Sequence, residues 1–426
     1  MALITQTGYR YGLSLIAPLL PLYLAWRARK GKEIRQRLPE RYGIAGLARP
    51  TGKLLWIHGA SVGEGMSVLP LINRLCELNP DLNILFTSGT VASANLIAQR
   101  LPARAFHQFI PLDVPRYAKR FIEHWRPDAA IWLESELWPN LLTELRSRKI
   151  PAIRLNARLT EKSASGWSKV ADWFTDILSA FSLTLAIAPA DAQRLKTAGA
   201  RNVQYVGNLK FTAPSPTVDA AALEKLREAI SHRPVWLMAS SHPGEEEMAL
   251  RIHFELCKIW PSLLTLIAPR HANRRDDIEK LITLPHSRRS KGELPGPEDS
   301  IYLADTMGEM PTLYQATGLV AMGGSFTPKG GHNPIEPAQC GAATLIGPDT
   351  TKCTDIVAEL VTAHALRQVG SEAELLRTLK ALLTDTAQRQ HMQEAGLIAT
   401  RQQDRIMNAT LGTMAQVIGP LGIQTA

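Results

Sequence analysis

Short apolar runs alternate with helical segments along most of the chain, and this alternation constrains the fold more than any other feature. The segments between the runs, such as Met66–Asn79 and Asn140–Arg148, carry the period of a helix. Alternating strands and helices form parallel sheets that are covered on both faces, so the sequence predicts an α/β fold. The predicted strands are Leu54–His58, Asn83–Thr87, Ala129–Leu133, Ala152–Leu155, Leu183–Ala188, Val203–Val206, Val235–Ala239, Leu263–Ala268, Leu319–Met322 and Ala343–Ile346.

The alternating pattern occurs twice, once on each side of a proline-containing segment. Residues 211–219 include Pro214 and Pro216 and are predicted to be a linker. A chain of 426 residues exceeds one ordinary core. We therefore predict two doubly wound, Rossmann-like domains at 46–210 and 220–426, with the C-terminal helices packing back on the first. Ligands of such sheets bind outside the carboxyl ends of the strands, which predicts a site in an interdomain cleft.

The N-terminal segment combines an uncharged run with a basic cluster. No charged residue occurs from Tyr11 to Trp26, and seven Lys or Arg residues then stand against two Glu residues between Arg27 and Arg41. We interpret residues 1–45 as an uncleaved membrane anchor, either spanning the bilayer or lying in one leaflet, on an anionic inner-membrane surface. Positive charge after the run predicts that the rest of the chain stays on the cytoplasmic face. A buried amphipathic first helix is the alternative.

Composition argues against several other classes of function. The net charge is +9, but aromatic residues are not interleaved with the basic ones, so no nucleic-acid partner is predicted. The cysteines are scattered without zinc-ligand spacing and fit a reducing compartment. They are Cys76, Cys257, Cys340 and Cys353. No Asp-x-Asp motif occurs, and we predict neither a metal nor another cofactor.

A glycine-rich turn with an acidic residue follows the first predicted strand. Gly59 and Gly63 permit a sharp turn, Ser61 can cap the next helix, and Glu64 falls at the helix start. A carboxylate there is stabilised by the helix dipole, which is the ordinary interpretation. The functional interpretation is a general base that takes a proton from a sugar hydroxyl. The residues alone are compatible with both.

Further polar groups follow the next strands of the first half. Glu134 and Glu136 lie on the same side of an extended segment, where they can bind hydroxyls, share a proton or cap the helix at Pro139. Arginines after the following strand suit phosphate groups or a salt bridge to the nearby acids. The candidate ligand-binding residues of the first half are Ser61, Gly63, Glu134, Glu136, Arg154, Asn156 and Arg158.

The second half places four polar loops at the same edge of its predicted sheet. Hydroxyls, glycine amides and helix starts hold phosphate, and Arg270 adds positive charge. In the stretch Gly330–Glu336, Glu336 is placed to accept hydrogen bonds from the two hydroxyls of a ribose. An ordinary strand-to-helix turn is the alternative for that stretch. The candidate ligand-binding residues of the second half are Ser240, Ser241, His242, Pro269, Arg270, His271, Met307, Gly308, Glu309, Gly324, Ser325, Gly331, His332, Asn333 and Glu336.

Taken together, these motifs resemble the 3-deoxy-D-manno-octulosonic acid (Kdo) transferases of Gram-negative bacteria, in the family order and over nearly the whole chain. The motifs are His58–Glu64, Glu134–Asn140, Asn156–Leu159, Gly207–Phe211, Pro269–His271, Asp305–Glu309, Gly323–Ser325 and Gly330–Glu336. The resemblance implies a GT-B enzyme that transfers Kdo from CMP-Kdo to the lipid A precursor (lipid IVA) in lipopolysaccharide synthesis, with inversion. It also implies that Glu64 is the catalytic base and that Lys210 is a donor-side or interdomain contact. The candidate residues of the first half, with Glu136 and Glu134 among them, would then be acceptor-binding, and those of the second half would be donor-binding.

Two other functions remain open at this point. A GT-B transferase or epimerase that uses a UDP-sugar shares the domain pair and the ribose-binding Glu. A membrane-attached nucleotide-sugar binding protein without turnover would keep the loops of residues 307–336 but tolerate loss of Glu64 and Glu136.

Overall fold

A computed structural model describes residues 6–230 and 232–426. The first five residues of the predicted anchor lie outside the described part. The chain divides into two compact units. Unit 1 contains the residues up to Ala213 and those from Gln403 onward, and unit 2 runs from Pro214 to Gln402.

Unit 1 is built on a seven-stranded sheet in the order β3-β2-β1-β4-β5-β6-β7. Every pairing in it is parallel. Its strands are β1 (Leu54–His58), β2 (Asn83–Ser88), β3 (Ala105–Phe109), β4 (Ala129–Leu133), β5 (Ala152–Ala157), β6 (Leu183–Ala186) and β7 (Val203–Gln204).

Helices connect the strands of unit 1 and cover both faces of its sheet. The α-helices of unit 1 that precede Ala213 are α1 (Gln6–Ile16), α2 (Leu20–Arg29), α3 (Leu38–Arg41), α4 (Val62–Leu78), α5 (Val91–Ala98), α6 (Pro115–Trp125), α7 (Pro139–Ser147), α8 (Glu161–Trp167), α9 (Ala171–Leu178) and α10 (Pro189–Thr197). A short 3-10 helix, Leu209–Thr212, follows β7 at the end of this part of unit 1.

Unit 2 repeats the plan with a second seven-stranded sheet, in the order β10-β11-β9-β8-β12-β13-β14. All of its pairings are parallel as well. Its strands are β8 (Val235–Ser241), β9 (Leu264–Pro269), β10 (His286–Arg288), β11 (Ile301–Leu303), β12 (Leu319–Met322), β13 (Ala343–Ile346) and β14 (Leu366–Gln368).

Eight helices belong to the described part of unit 2, and the chain then returns to unit 1. They are α11 (Ala220–Ile230), α12 (Glu245–Cys257), α13 (Arg275–Glu279), α14 (Met310–Thr317), α15 (Ile335–Gln339), α16 (Thr354–Thr362), α17 (Glu372–Thr384) and α18 (Thr386–Thr400). The last helix, α19 (Gln403–Ile418), is part of unit 1. Its Leu411 and Met414 are buried in the same core as Leu55 of β1.

The alternation of side chains along each strand explains why both faces of a sheet must be covered. All five residues of β1 are buried. Leu55 and Ile57 belong to the core on the side of α4 and α19, whereas Leu54 and Trp56 belong to the core on the side of α6 and α7. Successive side chains of a strand point to opposite faces, and burying each large apolar side chain contributes about 1.5–3 kcal/mol.

Every strand predicted from the sequence is present, and the α/β two-domain, Rossmann-like expectation is confirmed. The sequence pattern missed four strands, namely β3, β10, β11 and β14. Three of them, β3, β10 and β14, are edge strands, and β10, β11 and β14 have only three residues each. Short and edge strands carry too little apolar sequence to produce a signal.

The N-terminal segment forms two short helices, because Pro18 and Pro21 interrupt the apolar run. Of residues 6–230 and 232–426, no helix combines the length and the apolar character needed to cross a bilayer. Several large apolar side chains of α1, α2 and their junction are exposed. They are Tyr11, Leu15, Ile16, Leu19, Leu22, Tyr23 and Trp26.

Part of the basic cluster is internal to unit 1 rather than spread over its surface. Arg41 is 4% exposed, and its guanidinium pairs with Glu33 and donates to the carbonyls of Gly89 and Ile110. Arg37 pairs with Glu40 at 2.7 Å. These two arginines therefore hold the segment against the sheet, which corrects the expectation that the whole cluster faces a membrane.

Candidate active site

The loops with the predicted motifs lie at equivalent places in the two sheets. In unit 1 the strand order changes direction at β1 and β4, and in unit 2 at β8 and β12. Ligands of doubly wound sheets bind outside the carboxyl ends of the strands at this switch point. Glu134 and Glu136 follow β4, and Glu64 lies at the start of the helix that follows β1. In unit 2, Ser240 and Ser241 end β8, His242 follows them, and Gly323–Ser325 follow β12.

Glu64 lies in the first turn of α4 and is held by a cap. The hydroxyl of Ser61, the N-cap residue, accepts from the Glu64 amide and donates to Oε1 of the Glu64 carboxylate at 3.1 Å. The Ala60 amide donates to Oε2 at 2.9 Å. The two interpretations of Glu64, a carboxylate stabilised at a helix start and a general base, are therefore compatible. A carboxylate that is held in one orientation by hydrogen bonds can also accept a proton.

The electrostatic surroundings of Glu64 suit proton transfer near neutral pH. Burial raises the pKa of Glu64 to about 7, the charges of Glu134 and Glu136 add to the rise, and the bonds from Ala60 and Ser61 oppose it. A general base works best when its pKa lies near the working pH. Glu64 is 9% exposed, so the carboxylate is largely but not wholly withdrawn from solvent.

The Glu134 side chain pairs with a lysine, and the Glu134 backbone carbonyl accepts hydrogen bonds from an arginine. Lys210 Nζ lies 2.9 Å from Glu134 Oε1. Glu134 has a φ of 50°, and its carbonyl accepts two hydrogen bonds from the Arg154 guanidinium, at 2.8 and 3.0 Å. Arg154 also donates to the Arg158 carbonyl, so it supports an unusual turn of the backbone.

One predicted assignment changes as a result. Arg154 is 1% exposed because it belongs to a central strand, so its side chain supports the loop and does not reach an acceptor phosphate. Lys210, predicted to be a donor-side or interdomain contact, pairs with Glu134 in unit 1, and its predicted role stays a prediction.

Asn156 connects β5 to the segment that carries Lys210. Its Oδ1 accepts from the Leu209 amide at 3.0 Å, and its Nδ2 donates to Asn208 Oδ1 at 3.3 Å. Asn156 is 4% exposed and has a φ of 48°, a conformation that asparagine tolerates better than most residues. It therefore positions Lys210, while Arg158 is partly exposed beside the same loop.

Glu136 accepts hydrogen bonds from two tryptophans, and its side chain is partly exposed to solvent. Trp138 Nε1 donates to Glu136 Oε2 at 3.1 Å, and Trp132 Nε1 donates to the Glu136 carbonyl at 2.8 Å. His58 Nε2 lies 3.6 Å from Glu136 Oε2. The Glu136 side chain is 43% exposed, so it remains available to a ligand.

In unit 2, three histidines from separate segments lie together. The rings of His242 and His332 are stacked with an angle of 8° between their planes, and their Nε2 atoms are 3.0 Å from each other. The ring of His271 packs edge-on against His242. Burial lowers the pKa of His332 to about 4, helped by the positive charge of Arg270. The surroundings are therefore positive, and such a site favours an anion.

Glu245, at the start of α12, joins the loops around these histidines. It is 1% exposed, and its carboxylate accepts from the amides of His242, Gly324 and Phe326 at 2.8–3.0 Å. The neighbouring Glu246 accepts from Ser241 and from Arg274. Both acids hold loops in place and are not themselves exposed to a ligand.

Close backbone contact explains the glycines after β12. A Cβ at Gly323 would lie 2.5 Å from the Ser240 carbonyl oxygen, and Gly324 has a φ of 67°. Ser325 is fully buried, with its hydroxyl donating to the Met322 carbonyl and accepting from the Gly347 amide. The hydroxyl of Ser325 therefore fixes the loop, and its assignment as a direct donor contact is corrected.

The other predicted donor residues of unit 2 differ in exposure. Exposed among them are Arg270, His271, Met307, Gly308, Asn333 and Glu336. Glu309 forms a bidentate pair with Arg289 and also accepts from Thr306. Asn333 Oδ1 accepts from the Ile335 amide at the start of α15, and Glu336 lies in the first turn of that helix. Of the remaining three, Ser240 belongs to β8, Pro269 is the last residue of β9, and Gly331 is buried in the segment before α15.

Sequence reasoning overlooked several residues that shape the site. His58 and Thr87 lie behind Glu136, Glu245 and Glu246 hold the loops of unit 2, and Gly347 closes against Ser325. The three consecutive acids at the start of α12 were the one sequence signal for Glu245. In the described ranges 6–230 and 232–426, no three His, Cys, Asp or Glu side chains are grouped so as to hold a metal ion.

Comparison with known proteins agrees with this arrangement. Two Rossmann-like units with loops at their switch points define a GT-B-type fold. UDP-GlcNAc 2-epimerase from Neisseria meningitidis, solved with UDP-GlcNAc, shares this fold with a TM-score of 0.56 at 17% identity, covering 85% of this chain and 100% of that chain.

Sequence comparison is more specific. A family model described as 3-deoxy-D-manno-octulosonic-acid transferase (kdotransferase) matches residues 36–213. The 3-deoxy-D-manno-octulosonic acid transferase of Rickettsia bellii is 34% identical, covering 94% of this chain and 97% of the relative. That of Haemophilus influenzae is 34% identical, covering 90% and 92%. The chain belongs to the Kdo transferase family and is accordingly a glycosyltransferase, as predicted.

Proposed function

We propose that this protein transfers Kdo from CMP-Kdo to the lipid A precursor lipid IVA, with inversion at the anomeric carbon, in lipopolysaccharide synthesis. The observation that carries the proposal is the capped carboxylate of Glu64, whose pKa burial raises to about 7. Family membership supports the transferred sugar, and a base of this strength supplies the proton transfer that a hydroxyl acceptor needs.

The proposed reaction is a single displacement. The Glu64 carboxylate takes the proton of a primary hydroxyl of the acceptor, and the hydroxyl oxygen forms a bond to the anomeric carbon of Kdo. The bond from that carbon to the phosphate oxygen breaks, and CMP leaves with the electron pair. Attack opposite the leaving group inverts the anomeric centre.

Unit 2 is the proposed donor-binding half. Arg270 and His271 are exposed at the end of β9, and the positive charge around His332 matches an anionic leaving phosphate. The exposed carboxylate of Glu336 can accept hydrogen bonds from the two ribose hydroxyls. Unit 1, with Glu64, Glu134 and Glu136, is the proposed acceptor-binding half.

A further part of the proposal is attachment to the cytoplasmic face of the inner membrane through the N-terminal helices. Leu15, Leu19 and Leu22 are 82%, 63% and 72% exposed, and cations follow at Arg29 and Lys30. Exposed apolar side chains next to cations suit an anionic lipid surface. Replacing the three leucines by Ser should abolish sedimentation with phosphatidylglycerol vesicles, and wild-type binding should weaken as salt rises. Unchanged binding of the variant would contradict this attachment.

Mass spectrometry of the product from purified protein, CMP-Kdo and lipid IVA tests the activity directly. We expect addition of Kdo to lipid IVA, and loss of most turnover in the E64Q variant with donor binding kept. CMP should raise the thermal unfolding temperature more than UDP does. Greater protection by UDP would favour the UDP-sugar alternative, and normal turnover by folded E64Q would remove Glu64 as the base. Absence of turnover with wild-type protein would favour a binding protein.

A further inference from the structure

A buried histidine behind Glu136 has no role in the proposed function. His58, the last residue of β1, is fully buried, and within residues 6–230 and 232–426 its Nε2 has no hydrogen-bond partner. Its Nδ1 lies 3.0 Å from the Thr87 hydroxyl and 3.2 Å from the Thr87 carbonyl. The ring packs against Trp132 at 4.7 Å. An unpaired buried polar atom is costly, so the arrangement requires an explanation.

The neighbours of His58 determine where its ring proton lies. Trp56 Nε1 donates to the Thr87 hydroxyl at 2.9 Å, and an indole N–H can only donate. The hydroxyl oxygen accepts there, which leaves the hydrogen of that hydroxyl free to point at His58 Nδ1. In this tautomer Nε2 carries the ring proton and faces Oε2 of Glu136, 3.6 Å away.

The opposite tautomer is electrostatically unfavourable. If Nδ1 carried the proton and donated to the Thr87 carbonyl, the lone pair of Nε2 would face a carboxylate in a buried position. Like partial charges in low dielectric repel strongly. The Thr87 hydroxyl behind the ring and the Glu136 carboxylate in front of it therefore both favour a proton on Nε2.

We propose that His58 is a positioning residue that orients the Glu136 carboxylate toward the hydroxyl groups of the acceptor sugar. The His58 Nε2–H and the Trp138 indole N–H both point at Oε2 of Glu136, so Oε1 of Glu136 remains available to the acceptor. The inference rests on the proposed function and deepens it, because it assigns Glu136 a ligand chemistry. A small shift of the exposed Glu136 side chain on acceptor binding closes the 3.6 Å gap into a hydrogen bond.

Two substitutions at one position separate this role from simple packing. In H58Q the side-chain amide can place an N–H near the position of Nε2, whereas in H58N it can only reach the position of Nδ1. We expect H58Q to keep the acceptor KM within about threefold of wild type and H58N to raise it about tenfold or more, the loss expected for a hydrogen bond to a charged group. Protection of both variants by CMP against thermal unfolding should equal that of wild type.

A matched control is His253, another buried histidine whose Nδ1 contacts a threonine hydroxyl, that of Thr265, at 2.9 Å. It belongs to unit 2, and H253N should leave the acceptor KM unchanged. If H58N does not fold, T87V replaces it as the test variant, because T87V removes the hydroxyl that favours the His58 tautomer with its proton on Nε2. We expect T87V to raise the acceptor KM severalfold at nearly constant kcat.

The outcomes distinguish this inference from the proposed function. No Kdo transfer by wild-type protein would overturn both. Transfer by the wild type together with equal acceptor KM values for H58Q and H58N, or an unchanged KM in T87V when H58N is unfolded, would overturn only the role of His58.

Discussion

At the scale of single residues, the most consequential observation is a carboxylate held in place while its ionisation is made difficult. Glu64 receives hydrogen bonds from Ala60 and Ser61, yet burial and two neighbouring acids still raise its pKa to about 7. Hydrogen bonds alone would lower it. The balance provides a base that is ionised in a large fraction of molecules at neutral pH and still accepts a proton readily.

The raised pKa of Glu64 predicts a stability difference that depends on pH. As the pH rises from about 4.5 to 7, the unfolded chain gives up the Glu64 proton before the folded protein does, so the folded state loses stability over that window. E64Q cannot ionise there. We expect the stability of E64Q relative to wild type to increase between pH 4.5 and 8 by up to about 3 kcal/mol.

Urea unfolding of both proteins at a series of pH values measures this difference. The comparison isolates Glu64, because other titrating groups such as Asp113 are present in both proteins. A constant difference across the range would show that Glu64 ionises normally. The activity of wild-type protein should also fall below about pH 7, where the base becomes protonated.

Glu245 gives a prediction for the donor-binding loops. Its two oxygens accept hydrogen bonds from three backbone amides and a hydroxyl, so in E245Q an amide NH₂ would face backbone N–H groups. Leaving buried donors without an acceptor costs about 1–3 kcal/mol each. We expect E245Q to lower stability by at least about 2 kcal/mol and to reduce protection by CMP in thermal unfolding.

The matched control for that measurement is E247Q. Glu247 lies in the same turn of α12, is partly exposed and accepts only from the Gly244 amide. Its variant should stay within about 0.5 kcal/mol of wild type, as surface substitutions usually do. Equal effects of the two substitutions would mean that Glu245 does not hold the loops.

At the scale of elements, the position of a glycine in a helix matters more than helix propensity. Gly65 lies in α4, where a Cβ would be 2.7 Å from the side chain of Ile97. Gly412 lies in α19, where a Cβ would meet nothing within 4 Å. Propensity alone favours Ala at both positions by about 1 kcal/mol, so any difference between them reports on packing.

We therefore expect opposite results from the same substitution. G412A should raise the free energy of unfolding by up to about 1 kcal/mol. G65A should lower it by about 1–3 kcal/mol, since α4 must move away from α5. Chemical denaturation of the two variants provides the measurement, and stabilisation by G65A would show that Ile97 yields without cost. A shift of α4 would also move Glu64, so G65A should lose activity while G412A keeps it.

The element scale also shows the limit of pattern reading. Long, strongly apolar strands such as β1 and β4 coincide with their predicted bounds, because every residue in them is buried. The strand β10 lies in a stretch rich in Pro, Gly and charge, and its pairing to β11 depends on residues 15 positions further along the chain. A local pattern contains no information on such a partner.

At the scale of the molecule, the chain builds two seven-stranded parallel sheets and completes unit 1 with its last residues. Leu411, Met414, Ile418 and Ile423 lie in one core with Leu55 and other residues of the first sheet. The end of the chain is therefore part of unit 1 although unit 2 separates it in sequence. Removing it exposes apolar surface that a sheet face needs covered.

Truncation tests this dependence. A chain that ends at Gln402 should leave unit 1 without the cover of α19, with loss of soluble yield or of its cooperative thermal unfolding. Each large side chain lost from a core costs about 2–5 kcal/mol, and total stabilities are about 5–15 kcal/mol. Removal of residues 425–426 alone should have little effect. Wild-type soluble yield and cooperative thermal unfolding of the chain that ends at Gln402 would show that α19 is dispensable for unit 1.

The fold class and the family could be read from the sequence because both depend on local information. Apolar runs of strand length alternate with helices, and the motifs at the strand ends keep their order along the chain. The interdomain cleft, the linker at 211–219 and the assigned domain bounds stay predictions. The motif residues Glu64, Glu136 and Arg270 are exposed or capped at strand ends, where sequence reasoning expects functional groups.

Tertiary structure alone decided which polar residues face a ligand and which support a loop. Arg154 and Ser325 are predicted site residues but are buried, whereas Glu245, which was not predicted as one, holds the loops of unit 2. The physical reason is that hydrogen bonding and burial join residues from separate strands, and no sequence spacing records which strands become neighbours. The order of motifs therefore indicated the chemistry, and the packing of the sheets assigned the individual roles.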